Sequence, residues 1–379
     1  MTWQLQTALQ QYWACSKDNS SIASALFDTE AKFGAPTVFA RRARLQSELY
    51  RLATDSSRPG IPARILSGVI ISTINPDTGV LSTTTGETFS ADLIVGADGL
   101  NSLVRRIVAP DAHVLPTGLI AYITSVPAAA IKADPAVAFQ TAPGACGMAV
   151  WEEGSRRLCC YPCDHGGDQY FQIVAYAPEG KWSEEFEKTG GGIIQGVPFE
   201  RMVEDFSDFH PSVLAMVRYV EVSGLYNPRK PNGRHIPTVS VWRIRDIEAL
   251  HSWSKGKTVL IGDAAHAATP HVGQGCSMAT EDAEALGFLF QDANVPADTL
   301  VGEFVDNAVA SRIALFERLR IARSHHVQLS ARQVGRLLRG TQKRYEGEFD
   351  RVAFAHTMYG YRGAQVAYES QLAEGLGET

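Results

Sequence analysis

Two short stretches of this 379-residue chain carry residue types at spacings that could do chemistry. The first is Gly262-Asp263-Ala264-Ala265-His266, with Pro270 and Gly273-Gln274-Gly275 downstream and Glu281-Asp282-Ala283 beyond. The apolar run from Thr258 to Ile261 leads into it. The pattern reads as a strand that ends in a loop and restarts as a helix near Cys276. An Asp then emerges at the C-terminal edge of a strand, where open α/β sheets bind ligands. Pro270 stiffens the loop, and the glycines let bare backbone approach a bound molecule. The helix start offers free N–H groups and a positive dipole end to an anionic or electron-rich ring system. Asp263 can accept a hydrogen bond from a sugar-chain hydroxyl. A plain strand–loop–helix connection with incidental glycines is the competing reading, and the coincidence of so many elements argues against it.

The second stretch is Asp92-Leu93-Ile94-Val95-Gly96-Ala97-Asp98-Gly99, followed by Ser102 and Arg105. Again a buried strand ends in small residues and an acid, and a helix begins. Ser102 suits a helix start, while Asp98 and Arg105 can hold the turn by charge-assisted hydrogen bonds. Asp92 and Ser102 fit structural roles, and Asp98 is the candidate for a ligand-side one.

The elements that must position these stretches follow from periodicity and turn chemistry. Residues 1–35 are weakly patterned and read as helical in part. Phe39, Leu45, Leu49 and Leu52 are apolar at helix-like spacing, which predicts a helix from Phe39 to Thr54. Arg64 to Ser72 is rich in β-branched residues and reads as a strand. Asn75 to Gly79 and Gly86-Glu87 are turns, so a short antiparallel meander is expected. Strand-like runs recur from Leu115 to Tyr176, including Leu119–Thr124 and Phe171–Val174. Ser183 to Val217 reads as polar helical pieces, Val239–Ile244 and Lys257–Ile261 as strands, and the region up to Gly340 as long helices. The tail beyond Gly340 is mixed, with Tyr345, Tyr359, Tyr361 and Tyr368.

Composition excludes several functions. The chain is 45% hydrophobic with a formal net charge of −6, so it can bury a large core and is not the basic type that binds nucleic acid electrostatically. No run of about 18 apolar residues predicts a membrane span. The N-terminus lacks the basic and apolar regions of a secretory signal, so a cytoplasmic location is expected. Of the six cysteines, Cys15, Cys146, Cys159, Cys160, Cys163 and Cys276, Cys160 and Cys163 have C-x-x-C spacing. No second ligand pair stands at zinc-like spacing, so they read as strand-end thiols and no metal is expected.

In order and spacing the two stretches resemble the motifs of the single-component flavoprotein monooxygenases, the group of p-hydroxybenzoate and salicylate hydroxylases. By that resemblance the motif from Asp92 through Asp98 and Ser102 to Arg105 supports both FAD and the reduced nicotinamide. The other motif places Asp263 on the ribityl chain, with Gly273 and the backbone near Gly275 and Cys276 beside the isoalloxazine. Arg41-Arg42-Ala43-Arg44-Leu45 fits the family's H-R-x-x-L helix, with Arg42 at the position that reaches the flavin and Arg41 in place of the usual His. Tyr122 and Tyr161 are the candidates for the substrate face, with ordinary sheet packing as their alternative role. His266 reads as structural and His271 as a pocket-lining residue. Ile123 stands where the salicylate-like branch often carries Arg, so an anionic substrate group would lack its partner there.

The resemblance implies an α/β fold: an incomplete FAD/NAD(P)-binding Rossmann-like domain with an inserted β-rich substrate domain, as in p-hydroxybenzoate hydroxylase. Residues 1–111 and 251–345 would form the nucleotide domain, 112–250 the substrate domain and 346–379 a tail. The implied activity is hydroxylation of an aromatic or polyketide-like small molecule, with FAD as cofactor, NADH or NADPH as reductant and O2 as co-substrate. The alternative is a truncated or non-catalytic flavoprotein-like fragment without FAD turnover. The G-x-G-x-x-G opening of the family does not occur here. Gly190-Gly191-Gly192 and Gly196 follow a polar stretch at the wrong spacing. The resemblance runs from Gly34 to Gly340, the fingerprint segment would precede it, and a nucleotide sheet without those strands would expose an edge.

Overall fold

The computed structural model describes residues 10–16, 18, 20–133, 135, 147–165, 168–218, 238–291, 308–339 and 349–376. Cys146 and Tyr345 lie outside them. In chain order the elements begin with β1 (Gln10–Ser16), β2 (Ser21–Phe27), α1 (Thr29–Phe33) and α2 (Arg42–Thr54). There follow β3 (Ile71–Asn75), β4 (Val80–Thr83), β5 (Thr88–Ser90), β6 (Ile94–Gly96) and α3 (Leu103–Val108). The middle of the chain carries β7 (Val114–Pro127), α4 (Ala128–Ala133), β8 (Met148–Glu153), β9 (Arg156–His165) and β10 (Asp168–Pro178). Next come α5 (Ser183–Thr189), β11 (Ile193–Pro198), α6 (Glu200–Asp205), α7 (Pro211–Arg218) and β12 (Thr238–Ile247). The last part holds β13 (Ser254–Lys255), β14 (Thr258–Leu260), α8 (Asp263–His266), α9 (Gly275–Leu289), α10 (Ala308–Arg339), α11 (Arg351–Tyr359) and α12 (Ala364–Leu376).

The chain divides into two compact units. The first comprises Met1–Ile65, Gly118–Ile244 and Leu337–Thr341. Its centre is an eight-stranded sheet in the order β11-β12-β7-β10-β9-β8-β1-β2. Among the described residues of the opening stretch, read as helical in part, α1 is helical and β1 and β2 are strands. β1 pairs with β2 antiparallel and with β8 in parallel, with Trp13 opposite Ala149. That pairing joins β1 and β2 to the sheet of the β-rich segment, whereas the sequence reading places residues 1–111 with the nucleotide domain. β11 was likewise absent from the sequence reading. Its Ile193-Ile194 pairs with Trp242-Val241 of β12 and is too short to show a period.

Strand alternation gives this sheet two different faces. On one, Ile120, Tyr122, Trp151, Leu158, Cys160 and Ile173 pack with Trp182, Phe186, Phe206 and Met216 of the segment that carries α5, α6 and α7. On the other, Leu119, Ala121, Val174, Tyr176 and Ile244 form a smaller cluster joined by Ile123, Cys159 and Tyr161. Cys160 and Cys163 are three positions apart on an unbulged strand. They therefore point to opposite faces, which separates the two thiols of the C-x-x-C spacing. Among the described residues no cluster of His, Cys, Asp and Glu could hold a metal ion.

The second unit comprises Leu66–Thr117, Arg245–Arg336 and Gln342–Thr379. It contains a three-stranded sheet β13-β14-β6 and the three-stranded meander β3-β4-β5. The meander forms where Asn75 folds back: its side-chain oxygen accepts from the N–H groups of Asp77 and Thr78. The strand reading for Arg64–Ser72 begins too early, since pairing starts only at Ile71. β6 and β14 are parallel neighbours, with Ile94 opposite Thr258 and Gly96 opposite Leu260. Gly96 is a close-approach glycine, because a Cβ there would stand 2.7 Å from the Val104 side chain of α3. Among the described residues β6 has a strand neighbour on one side only, and Val95 is 41% exposed.

The core of this unit joins Val259 and Leu260 of β14 to Ala285, Leu286 and Leu289 of α9 and to Ile313, Phe316 and Leu319 of α10. The tail is helical and attached. The Ala364 N–H at the start of α12 donates to the Glu284 carboxylate on α9 at 3.0 Å, and the Tyr368 ring lies 5.8 Å from Phe288.

Candidate active site

Both chemistry-bearing stretches lie in the second unit, at the C-terminal ends of adjacent parallel strands. This is where the fold directs ligands in an open α/β sheet. β14 ends at Leu260, and the chain continues through Ile261 to Gly262, whose φ of 58° and ψ of −143° suit a residue without Cβ. The chain thereby turns sharply and starts α8 at Asp263, which is exposed, while Ala264, Ala265 and His266 are buried. Past Pro270 the chain reaches α9, which begins at Gly275 and has no side-chain cap. Nothing stands within 4 Å of the Cβ positions of Gly273 and Gly275. An exposed carboxylate, open backbone and an uncapped helix N-terminus thus belong to one loop. The residues fit a flavin nucleotide, whose hydroxyls need an acceptor and whose polar ring edge needs N–H donors.

The other stretch has the same outline and a different finish. Asp98 Oδ2 accepts from the N–H groups of Leu103 at 2.7 Å and Val104 at 3.1 Å. Ser102 Oγ accepts from the Arg105 N–H at 2.7 Å. The first turn of α3 is therefore already capped by its own side chains. Asp98, expected on the ligand side, directs one oxygen to its own helix.

Arg105 is 2% exposed. Its guanidinium donates to the carbonyls of Leu100, Asp263 at 3.5 Å and Ala264 at 3.1 Å. Expected at the cofactor, it ties its own loop to the one that begins at Gly262, 158 residues away in sequence. Burial lowers its pKa, with the Asp98 charge opposing that shift.

A buried charge network that motif spacing did not reveal grips the same loop from the other side. Asp282 Oδ2 accepts from the Gly262 N–H at 2.8 Å and stands 2.6 Å from His266 Nε2. Its other oxygen accepts from Arg320 Nε at 2.9 Å. Arg320 Nη1 reaches Glu281 at 2.7 Å, and Arg323 donates to the same carboxylate and to the carbonyls of Thr357 and Met358 on α11. Arg320 and Asp282 are both 0% exposed. Burial raises the Asp282 pKa, but the His266 hydrogen bond and the His266 and Arg320 charges outweigh it and hold the carboxyl below its ordinary value. One sequence signal was available. Asp282 lies at helical spacing between buried Met278 and buried Ala285 and Leu286, so a carboxylate on that face requires a partner.

The remaining expected site residues are in the first unit. Arg42 opens α2 and is exposed, with no hydrogen bond or ion pair among the described residues; Arg41, its helix N-cap residue, holds its guanidinium 5.8 Å from the Tyr170 ring. The two tyrosines separate by face. Tyr122 turns toward the helix-covered core, donates to Asp205 at 2.6 Å and accepts from Trp182 Nε1 at 3.0 Å. Burial first and Asp205 second push its pKa up, and its hydroxyl is engaged by Asp205 and Trp182 within the first unit. Tyr161 lies on the opposite face, its ring stacked on Phe39 at 5.3 Å, and its hydroxyl has no hydrogen-bond partner among the described residues. Burial raises its pKa as well.

Comparison with known proteins agrees with this geometry. Residues 230–293 match the model of an FAD binding domain. The chain is 26% identical over 321 residues to hispidin-3-hydroxylase of Neonothopanus nambi, covering 79% of this chain and 66% of that one. It is 26% identical over 305 residues to 3-hydroxybenzoate 6-hydroxylase of Klebsiella oxytoca, covering 80% of this chain and 65% of that one. The chain thus spans just under two thirds of the length of these curated relatives. A salicylate hydroxylase substrate complex superposes with a TM-score of 0.66 at 20% identity, covering 96% of this chain and 82% of that one. The chain is similar in sequence to FAD-dependent aromatic hydroxylases and has the fold of the p-hydroxybenzoate hydroxylase type. Among the described residues no helix is long and apolar enough to cross a membrane.

Proposed function

We propose that this chain is an FAD-dependent monooxygenase that uses NAD(P)H and O2 to hydroxylate an aromatic or polyketide-like small molecule. The observation that carries this reading is the loop from Gly262 to Cys276. It combines an exposed strand-end carboxylate with an open helix N-terminus, and buried side chains grip it from two sides. Bound FAD would supply the redox and oxygen-activating chemistry that side chains lack. The chain's own part is binding and orientation. Asp263 would accept from a hydroxyl of the cofactor's polyol chain, and the N–H groups near Gly275 and Cys276 would donate to the polar edge of its ring. Names of the relatives support the substrate class.

On the first unit, we assign the face bearing Tyr161 to the substrate. With its pKa raised by burial, Tyr161 stays a neutral phenol at neutral pH. It then acts as a hydrogen-bond donor to a substrate oxygen and not as a base. The reading of the chain as a non-catalytic fragment is not favoured, because it leaves the buried wiring around Gly262 without a purpose.

Titrating the purified protein with FAD, followed by flavin fluorescence, tests the proposal. Saturable binding is expected, with Asp263→Ala weakening it by about tenfold or more. Protein whose spectrum ignores excess FAD refutes it. NAD(P)H oxidation with a panel of phenols then separates the tyrosines: Tyr161→Phe should raise KM, whereas Tyr122→Phe should lower stability by about 1–3 kcal/mol and leave KM unchanged.

A further inference from the structure

We propose that Asp282 and Arg320 act together as positioning residues for the ligand-facing loop that begins at Gly262. The inference rests on the reading of that loop as the cofactor site and assigns it two residues that touch no ligand. Gly262 has no side chain to hold it, and its backbone conformation is one that other residues rarely adopt. The orientation of Asp263 is therefore set by whatever holds the neighbouring amides and carbonyls. Two groups do so. Arg105 takes the carbonyls of Asp263 and Ala264, and Asp282 takes the Gly262 N–H and the His266 imidazole.

Asp282 lies on the same helix as the uncapped N-terminus at Gly275. The two positions are seven residues apart, about 10 Å along a rigid helix. One carboxylate therefore fixes the distance between the exposed acid of the loop and the N–H groups of α9. Arg320 fixes the carboxylate in turn. It donates to Asp282 at 2.9 Å, to Glu281 at 2.7 Å and to the Met278 carbonyl at 3.3 Å, so it fixes the rotamer of Asp282 and favours its ionised form. In Asp282→Asn an N–H would face a donor on one side, opposing Gly262 and His266 or else Arg320. A carboxylate needed only to neutralise Arg320 would have no reason to direct its second oxygen to the loop.

The test uses the full chain and two readouts. Amide hydrogen exchange of the unliganded protein is measured at Gly262–His266, and FAD affinity and the visible circular dichroism of the flavin are measured on the loaded protein. Asp282→Asn should speed exchange at those amides about tenfold, weaken FAD about tenfold and change the flavin dichroism. Arg320→Lys, which keeps the charge, should recover most of the affinity. Glu317→Gln is the comparison. Glu317 sits on the same α10 helix and accepts from Ser252, Trp253 and Ser254, so its loss should lower the melting temperature and leave both readouts unchanged. Wild-type exchange and dichroism in Asp282→Asn overturn the proposal, and so does an equal effect from Glu317→Gln. Should Asp282→Asn not fold, His266→Asn decides the matter, since unchanged exchange at Gly262–Ala265 in that variant also overturns it. Failure of the wild type to bind FAD would refute the cofactor reading, while the exchange data on unliganded protein would still decide this one.

Discussion

The two strand-end turns of the second unit start alike and finish differently. After β6 the chain supplies its own caps: Asp98 and Ser102 bond the first N–H groups of α3. After β14 the helix N-terminus at Gly275 has no side-chain cap, and the loop is held instead by Arg105 and Asp282 from elsewhere in the sequence. A capped turn is closed to a ligand, because its donors are already engaged. An open turn keeps its donors available and therefore needs its rigidity from a distance. The same strand–turn–helix outline thus gives a self-capped corner in one place and an open loop in the other. The difference lies in where the stabilising groups sit in sequence.

Three measurements would break or sharpen that comparison. The largest effect belongs to the distant wiring. Arg320→Met leaves the buried Asp282 and the partly buried Glu281 short of a counter-charge, and should cost about 3–5 kcal/mol in chemical unfolding. A loss below about 1 kcal/mol would mean that the loop is held without the network.

Acid should come next. The Asp282 carboxyl is held below its ordinary value. Its contribution is therefore fully present above the unfolded-state pKa of about 4 and is lost as pH falls through the lower folded-state value. Unfolding curves taken between about pH 5 and pH 2 should show a loss in the wild type that Asp282→Asn lacks. Parallel curves for the two proteins would contradict the assignment.

The smallest effect is the local one. Ser102→Ala removes one cap and should cost about 1 kcal/mol. Amide exchange should quicken in the first turn of α3 and remain unchanged at Gly262–His266. Spread of the effect to the second loop would erase the distinction between the two turns.

How much was legible in the sequence follows the same division. Both motifs, the meander, the long strands of the first unit and the β14–loop–α9 order were readable, because strand alternation, turn residues and glycine spacing are properties of neighbours. Ser102 was readable as a cap for the same reason. The role of Arg105 was not, because the carbonyls it binds on Asp263 and Ala264 are far away in sequence. Tyr122 and Tyr161 look equivalent as strand tyrosines. Only the register of the sheet shows that one faces Trp182 and Asp205 and the other faces Phe39. The opening strands β1 and β2 were missed because short weakly patterned segments take their structure from the sheet edge that receives them.

The sequence by itself determined the kind of chemistry: an acid at a strand end, backbone made approachable by glycine and a helix ready to present its N–H groups. Only the tertiary structure decided which of the two turns keeps those groups open and which buried charges hold it. A helix N-terminus is closed or open according to the side chains that reach it. In this protein the grip on the open loop comes from Arg105, Asp282 and Arg320, whose partners no local spacing specifies.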